Sequence, residues 1–363
     1  MATIGAGTIT AFFLFDVADA INLASVQQLI GSTVATRFAP KPPAPPYVQY
    51  REPPIAVDAA TLGIAAIDGF SVRLKAFDYG VVSVALTRPI SPTWDGVLTD
   101  ALAIYDNVRL AEGAERACRE WLTRVSPAIA RLRSDFLTED YVVFTVTRLE
   151  GIDRADALLA AHGDDIAQIL RGEREPLSTQ ERAEVLRHLI SYLANDLVVA
   201  AWNGAFVYDT EAGAQGALEI LEFANSQLLE FRYYDQLLDR ELERIYAQLQ
   251  GPHWLQSWFG RRYTRAARQV HTLFVDVNEL TDRAENALKF VGDVYAARLF
   301  AVVGTRLGLD RWKSNVQEKL QTLDAIYRFA VEQTGMTRGE FMELTIVLIL
   351  VFELVLLLLG IMQ

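Results

Sequence analysis

An imidazole beside a carboxylate is the arrangement used by general bases and metal ligands. His162 with Asp164 and Asp165 is the local group of that kind here. It sits with Gly163 between two helical patterns, which predicts a loop cluster rather than a site. The four histidines, His162, His188, His253 and His271, are far apart in sequence. The single cysteine, Cys118, allows neither an intrachain disulfide nor a cysteine metal cage. It falls in a predicted helix and reads as a small buried filler. Gly5-Ala6-Gly7 precedes a strand instead of following one, so it does not read as a phosphate cradle. The sequence holds no GxxxxGK[ST], HExxH or GxSxG motif and no EF-hand loop. Asp235, Asp239, Glu241 and Glu243 alternate with Arg240 and Arg244, the pattern of a solvated helix face. These patterns assign no catalytic residue, no metal and no cofactor.

The elements that would position any site come next. The chain has 363 residues, 51% of them hydrophobic, enough for a sizeable core. Thr8–Phe15 reads as a buried strand, followed by a helix near Asn22–Ile30. Residues 39–54 are proline-rich and read as a connector. Phe70–Phe77 and Val81–Leu86, joined by Asp78-Tyr79-Gly80, predict a hairpin. Helical patterns cover 94–133 and 153–190, with a strand at Tyr141–Arg148 between them. Leu197–Trp202 and Ala205–Tyr208 flank Asn203-Gly204, which predicts a tight hairpin with that pair in the turn. Hairpins mixed with helices argue for an α+β domain over 1–210 rather than a doubly wound parallel sheet.

Residues 217–335 carry helical periodicity. One stripe runs Ile220, Ala224, Leu228, Phe231, Tyr234 and Leu238, and another Trp312, Val316, Leu320 and Leu323. Gly251-Pro252, Gly304 and Gly308 break the run, so a long antiparallel, coiled-coil-like helical hairpin is expected. Leu344–Met362 is almost wholly apolar and would extend roughly 28 Å as a helix, close to the hydrocarbon thickness of a bilayer. A single C-terminal transmembrane anchor over 342–362 is expected. Arg328 and Arg338 before it keep the bulk of the chain cytoplasmic. Glu343 would lie at the membrane interface. Glu353 would lie near the middle, tolerated in protonated form or bonded to a second copy. Antiparallel geometry then brings the tip Gly251–Arg262 toward lipid. There Trp254, Trp258, Phe259, Arg261 and Arg262 are residue types that settle at headgroups or cap the hairpin core.

Three segments resemble the required-for-meiotic-nuclear-division (YagE-type) family of membrane-anchored proteins. They are Phe77-Asp78-Tyr79-Gly80-Val81-Val82, the stretch Glu222–Asp235 (EFANSQLLEFRYYD), and Glu343 followed by an aliphatic run with internal Glu353. The resemblance implies self-association and, through the mitochondrial members, support of translation by holding ribosomes near a membrane. It implies no catalytic residues. Asn225, Gln227, Arg232 and Asp235 lie on the best-matching helix and are the candidates for a functional or inter-element contact.

The formal net charge of −12 excludes a protein whose whole surface grips nucleic acid, so sequence-specific nucleic-acid binding is not expected. The expected partners are the lipid bilayer, further copies of the chain, and a ribosome or other protein. Arginine-rich, lysine-poor composition points to a bacterial source, and with the expected span that places the chain at the inner membrane, cytoplasmic side. The reading is a membrane-tethered, non-catalytic scaffold that recruits a cytoplasmic partner, a translation component among the candidates. The alternative is a membrane-anchored enzyme with an unrecognised active site in the α+β domain.

Overall fold

The structure, a computed structural model, describes residues 3–31, 36–37, 53–105, 107–249, 275, 294–326, 328 and 346–347. The chain divides into two compact units, Met1–Tyr233 with Asp282–Trp312 and Tyr234–Thr281 with Lys313–Gln363.

The first unit opens with β1 (Ile4–Asp16), β2 (Ala20–Ile21), α1 (Leu23–Ile30), β3 (Thr36–Arg37) and β4 (Ile55–Asp58). The hairpin β5 (Ser71–Ala76) and β6 (Val81–Pro89) follows, then α2 (Trp94–Ile104), α3 (Val108–Arg124), β7 (Ile129–Ala130) and β8 (Leu137–Leu149). Next come α4 (Ala155–Arg171), α5 (Thr179–Val185), β9 (Leu189–Ile190), β10 (Leu197–Ala200) and β11 (Gly204–Tyr208). The helices α6 (Glu211–Leu249) and α7 (Val294–Leu307) follow, and residues 309–326 are helical as well.

Among the described residues nine strands form one sheet in the order β3-β4-β5-β6-β1-β8-β11-β10-β9, and β2 pairs with β7 apart from it. β8 and β11 run parallel, and the other pairs are antiparallel. A parallel pair needs a long crossover, and α4 and α5 provide it. β1 is central and covered on both faces. That explains why TITAFFLF lacks the apolar–polar alternation of a half-exposed strand.

One face of the sheet is apolar. Leu74, Val84, Ala11, Phe144 and Phe206 meet the buried sides of α2, α3 and α4 there. The pattern of α3, with Leu110, Ala114, Ala117, Cys118, Trp121 and Leu122 buried, steps by the three and four residues of one helix face. Side chains cap these helices. Thr93 accepts from the Gly96 amide at 3.2 Å and Asn107 from Leu110 at 3.3 Å. Asn107 also explains why the helical pattern over 94–133 resolves into two helices.

Both expected hairpins are present, with one shift. Gly80 (φ 95°) closes the β5–β6 turn in the conformation that favours glycine. In β10–β11 the Ala201 amide donates to the Gly204 carbonyl at 2.8 Å, so Trp202-Asn203 forms the loop. Gly204 belongs to the strand, where a Cβ would lie 2.4 Å from the Val142 carbonyl oxygen. Close backbone approach, not turn chemistry, explains this glycine.

The expected C-terminal transmembrane helix requires correction, and with it the fold class and the tail-anchor description. Among the described residues no helix is long and apolar enough to cross a membrane. α7 has 14 residues, and the 39-residue α6 carries Glu222, Glu230, Arg232 and Asp235. A span needs about 20 predominantly apolar residues. Of 342–362, Ile346 and Val347 are described and are half exposed. Glu343, Glu353 and the expected interfacial residues Trp254, Trp258, Phe259, Arg261 and Arg262 lie outside the described residues. So does most of the proline-rich segment.

Candidate functional site

The second face of the sheet differs in chemistry. Strand alternation places Arg73 and Lys75 of β5, Ser83 and Thr87 of β6, Thr8, Thr10, Phe12 and Leu14 of β1, and Glu139, Tyr141 and Thr145 of β8 on it. The first part of α6 lies over this face. Every residue from Ala224 to Phe231 is buried, among them Asn225, Ser226, Gln227 and Glu230. α7 flanks α6, with the Phe223 and Phe300 ring centroids 5.7 Å apart.

Polar contacts join helix to sheet. Lys75 donates to Glu222 in a buried ion pair, the two side chains 10% and 2% exposed. Tyr79, in the β5–β6 turn, bonds Ser226 at 2.6 Å. The Ser226 hydroxyl donates to the Phe223 carbonyl at 2.7 Å, so the Tyr79 hydroxyl is the donor of the pair. Arg232 donates to Glu139 and, at 3.4 Å, to the Thr138 carbonyl. Burial lowers the Arg232 pKa. The buried Lys75–Glu222 pair holds helix and sheet in one relation, because a lone buried charge costs several kcal/mol, and the part-buried Tyr79 and Arg232 contacts add to it.

A second group lies at the far end of β1. Asp16 is fully buried, and Arg133 Nη1 lies 2.9 Å from its Oδ1. Arg133 also reaches Asp19 at 3.3 Å and stacks over the Tyr233 ring at 4.0 Å. Burial pushes the Asp16 carboxyl up to about 7, against the pull of the Arg133 guanidinium.

Under the first turns of α6 the same face opens into a cleft of about 390 Å³. Its walls include Arg73, Thr10, Thr87 and Thr145 from the sheet and Ala214 and Leu218 from α6. The β1–β8 register shifts on either side of Ala6, beside the cleft residue Gly7. Bulges of this kind commonly border binding sites.

Of the four polar candidates, Asn225, Gln227 and Arg232 lie in the sheet unit and Asp235 in the other. Asn225 Nδ2 donates to the Leu221 carbonyl of its own helix at 2.8 Å. Gln227 is fully buried, and neither of its amide atoms has a hydrogen-bond partner among the described residues. Within the second unit Lys319 Nζ lies 2.7 Å from Asp235 and 2.6 Å from Asp239. His162 is not in a loop. It sits at a kink inside α4 (φ −132°, ψ 17°), because Leu158, Ile166 and Ile169 continue one buried face across it. Its ring stacks on Trp94 at 4.4 Å, and Nδ1 bonds Asp165 at 2.7 Å, while Asp164 pairs with Arg182. Stacked and buried, the imidazole fills the core. Cys118 is fully buried, and burial pushes its thiol well above the ordinary range. Among the described residues no group of three or more His, Cys, Asp or Glu is placed to hold a metal.

Sequence reasoning passed over Arg73, Lys75 and the threonines. A legible signal existed, since charges at Arg73 and Lys75 alternate with Val72 and Leu74 inside a strand flanked by apolar runs. The two segments quoted for the hairpin and the long helix meet directly, through Tyr79 and Ser226.

The fold and site define a mixed-sheet protein with an apolar layer on one side and a long helix held by polar contacts on the other. The chain belongs to the family described as the N-terminal domain of uncharacterized protein MJ0711, which matches residues 6–215. Uncharacterized protein MJ0711 of Methanocaldococcus jannaschii is 20% identical over 228 residues, covering 63% of this chain and 68% of that protein. No solved structure matches the chain. The family match takes in the sheet and the start of α6 and stops before Glu222–Arg232.

Proposed function

We propose that the chain is a non-catalytic scaffold that self-associates and recruits a protein partner, with a translation component as the first candidate. The observation that carries this reading is α6. It is one helix of 39 residues, about 58 Å long, that contributes to both compact units. Its first part is tied to the sheet by Lys75–Glu222, Tyr79–Ser226 and Arg232–Glu139. The helix continues beyond the sheet unit, and its further turns offer a surface for a partner to dock on. Asp239, Arg240 and Glu243 are exposed on that remainder. The resemblance of Glu222–Asp235 to the required-for-meiotic-nuclear-division family supports the choice of a ribosomal partner.

The test is purification of the tagged full chain from its native host, with mass spectrometry, RNA staining and light scattering. The expected result is a mass above the 40.5 kDa of one chain and co-purifying ribosomal protein or RNA. Both are expected to weaken when Arg240→Glu and Glu243→Lys are combined. A monomer with nothing bound would overturn the reading.

A further inference from the structure

Beneath the first turns of α6 the sheet is left uncovered, and the residues there are unlike the rest of that face. Arg73 is half-buried and lines the cleft, yet it makes no ion pair or hydrogen bond among the described residues. Other cations nearby are paired: Lys75 of β5 with Glu222, Arg88 of β6 with Asp100 at 2.8 Å, and Arg232 of α6 with Glu139. Thr145, 2% exposed and also lining the cleft, has a buried hydroxyl with no partner among the described residues. Buried polar groups are ordinarily satisfied, so the Thr145 hydroxyl calls for a further group in this cleft, where the half-buried Arg73 guanidinium is also uncommitted among the described residues. Thr10 and Thr87 bond each other at 3.2 Å and add hydroxyls to the same wall. Asp58 and Glu211 also line the cleft, and Asp58 commits Oδ1 to the Ala60 amide at 3.0 Å.

We propose that this cleft binds a small carboxylate whose other groups are hydrogen-bond donors. The ligand's carboxylate lies on the Arg73 guanidinium, whose planar fork matches two carboxylate oxygens. Its donors, hydroxyl or ammonium, face Asp58, Glu211 and the threonine hydroxyls. A phosphate dianion fits less well, since it would bring two charges beside two carboxylates in a chain of net charge −12. A volume of about 390 Å³ suits a small metabolite. This proposal does not depend on the scaffold reading.

Isothermal titration of the full chain with D-gluconate, L-serine, D-glucose and inorganic phosphate tests it. One of the two carboxylates is expected to bind saturably below about 10 mM, and about tenfold or more tighter than glucose or phosphate. Gluconate as the binder identifies hydroxyl donors, and serine identifies ammonium. Arg73→Gln is expected to weaken that binding about tenfold or more. Gln215→Trp, an exposed position of α6 at the cleft, is expected to block it without changing the thermal melt. Because Gln215 is exposed and bonds only the half-buried Glu219 among the described residues, this variant decides the matter if Arg73→Gln fails to fold. No saturable carboxylate binding, tighter binding of phosphate, or binding untouched by Gln215→Trp would overturn the proposal.

Discussion

The two faces of the central sheet solve the same packing problem with different chemistry. Toward α2, α3 and α4 the contact is aliphatic and aromatic, with Phe144, Phe206 and Trp121 buried to 1% exposure or less. Toward α6 it is built around Lys75–Glu222, Tyr79–Ser226 and Arg232–Glu139. An apolar contact is non-directional and tolerates small slips. A buried ion pair with directional contacts on either side has one register, because a slip leaves Lys75 and Glu222 alone in the interior. The first face supplies stability, and the second fixes where α6 begins.

The comparison can be broken at its strongest points first. Phe144→Ala removes a fully buried ring from the apolar face and is expected to cost about 3–5 kcal/mol in urea unfolding, with no second substitution on α6 restoring it. Glu222→Leu strands Lys75 and is expected to cost a similar 3–5 kcal/mol. Here Lys75→Met in the same chain is expected to recover most of the loss. If the double variant is as unstable as the single one, the polar face is not a paired clamp.

A pH series sharpens the contrast at the Asp16 end. The folded-state carboxyl titrates at about 7, above its ordinary value of 3.8. The native state therefore holds this proton more tightly than the unfolded chain does. The stabilisation linked to the proton is complete below about pH 4 and is lost as pH rises through about 7. Urea unfolding across this window is expected to show a one-proton fall of at most about 1.4 kcal/mol per pH unit, absent in Asp16→Asn. The smallest effect is expected at Gln227, whose buried amide has no partner among the described residues. Gln227→Leu is expected to be neutral or stabilising by about 1 kcal/mol, because no hydrogen bond is lost.

Much of the apolar face was legible in the sequence, and little of the polar one. The strand at Thr8–Phe15, the β5–β6 hairpin and the helix near Asn22–Ile30 follow from local pattern, and all three lie where that pattern puts them. His162 and Gly204 misled because each was read as a local signal. A histidine next to glycine suggests a loop, and Asn-Gly suggests a turn. Tertiary contacts with Trp94 and with the Val142 carbonyl decide both. The clamp was hidden for a different reason. Lys75 and Glu222 are 147 positions apart, and nothing in either segment alone shows that two charges will be buried against each other. Among Asn225, Gln227, Arg232 and Asp235, chosen from a single helix, burial and partner differ at each position. Spacing along α6 does not reveal which side the sheet will cover.

Hydrogen exchange along α6 tests the central claim most directly. If polar pairs fix the helix on the sheet, the amides of Leu221–Arg232 in the full chain exchange as slowly as those of β1. In Glu222→Leu they are expected to open well ahead of β1 while the apolar face stays protected. Fast exchange over Leu221–Arg232 in the unaltered protein would contradict a fixed helix and the scaffold built on it.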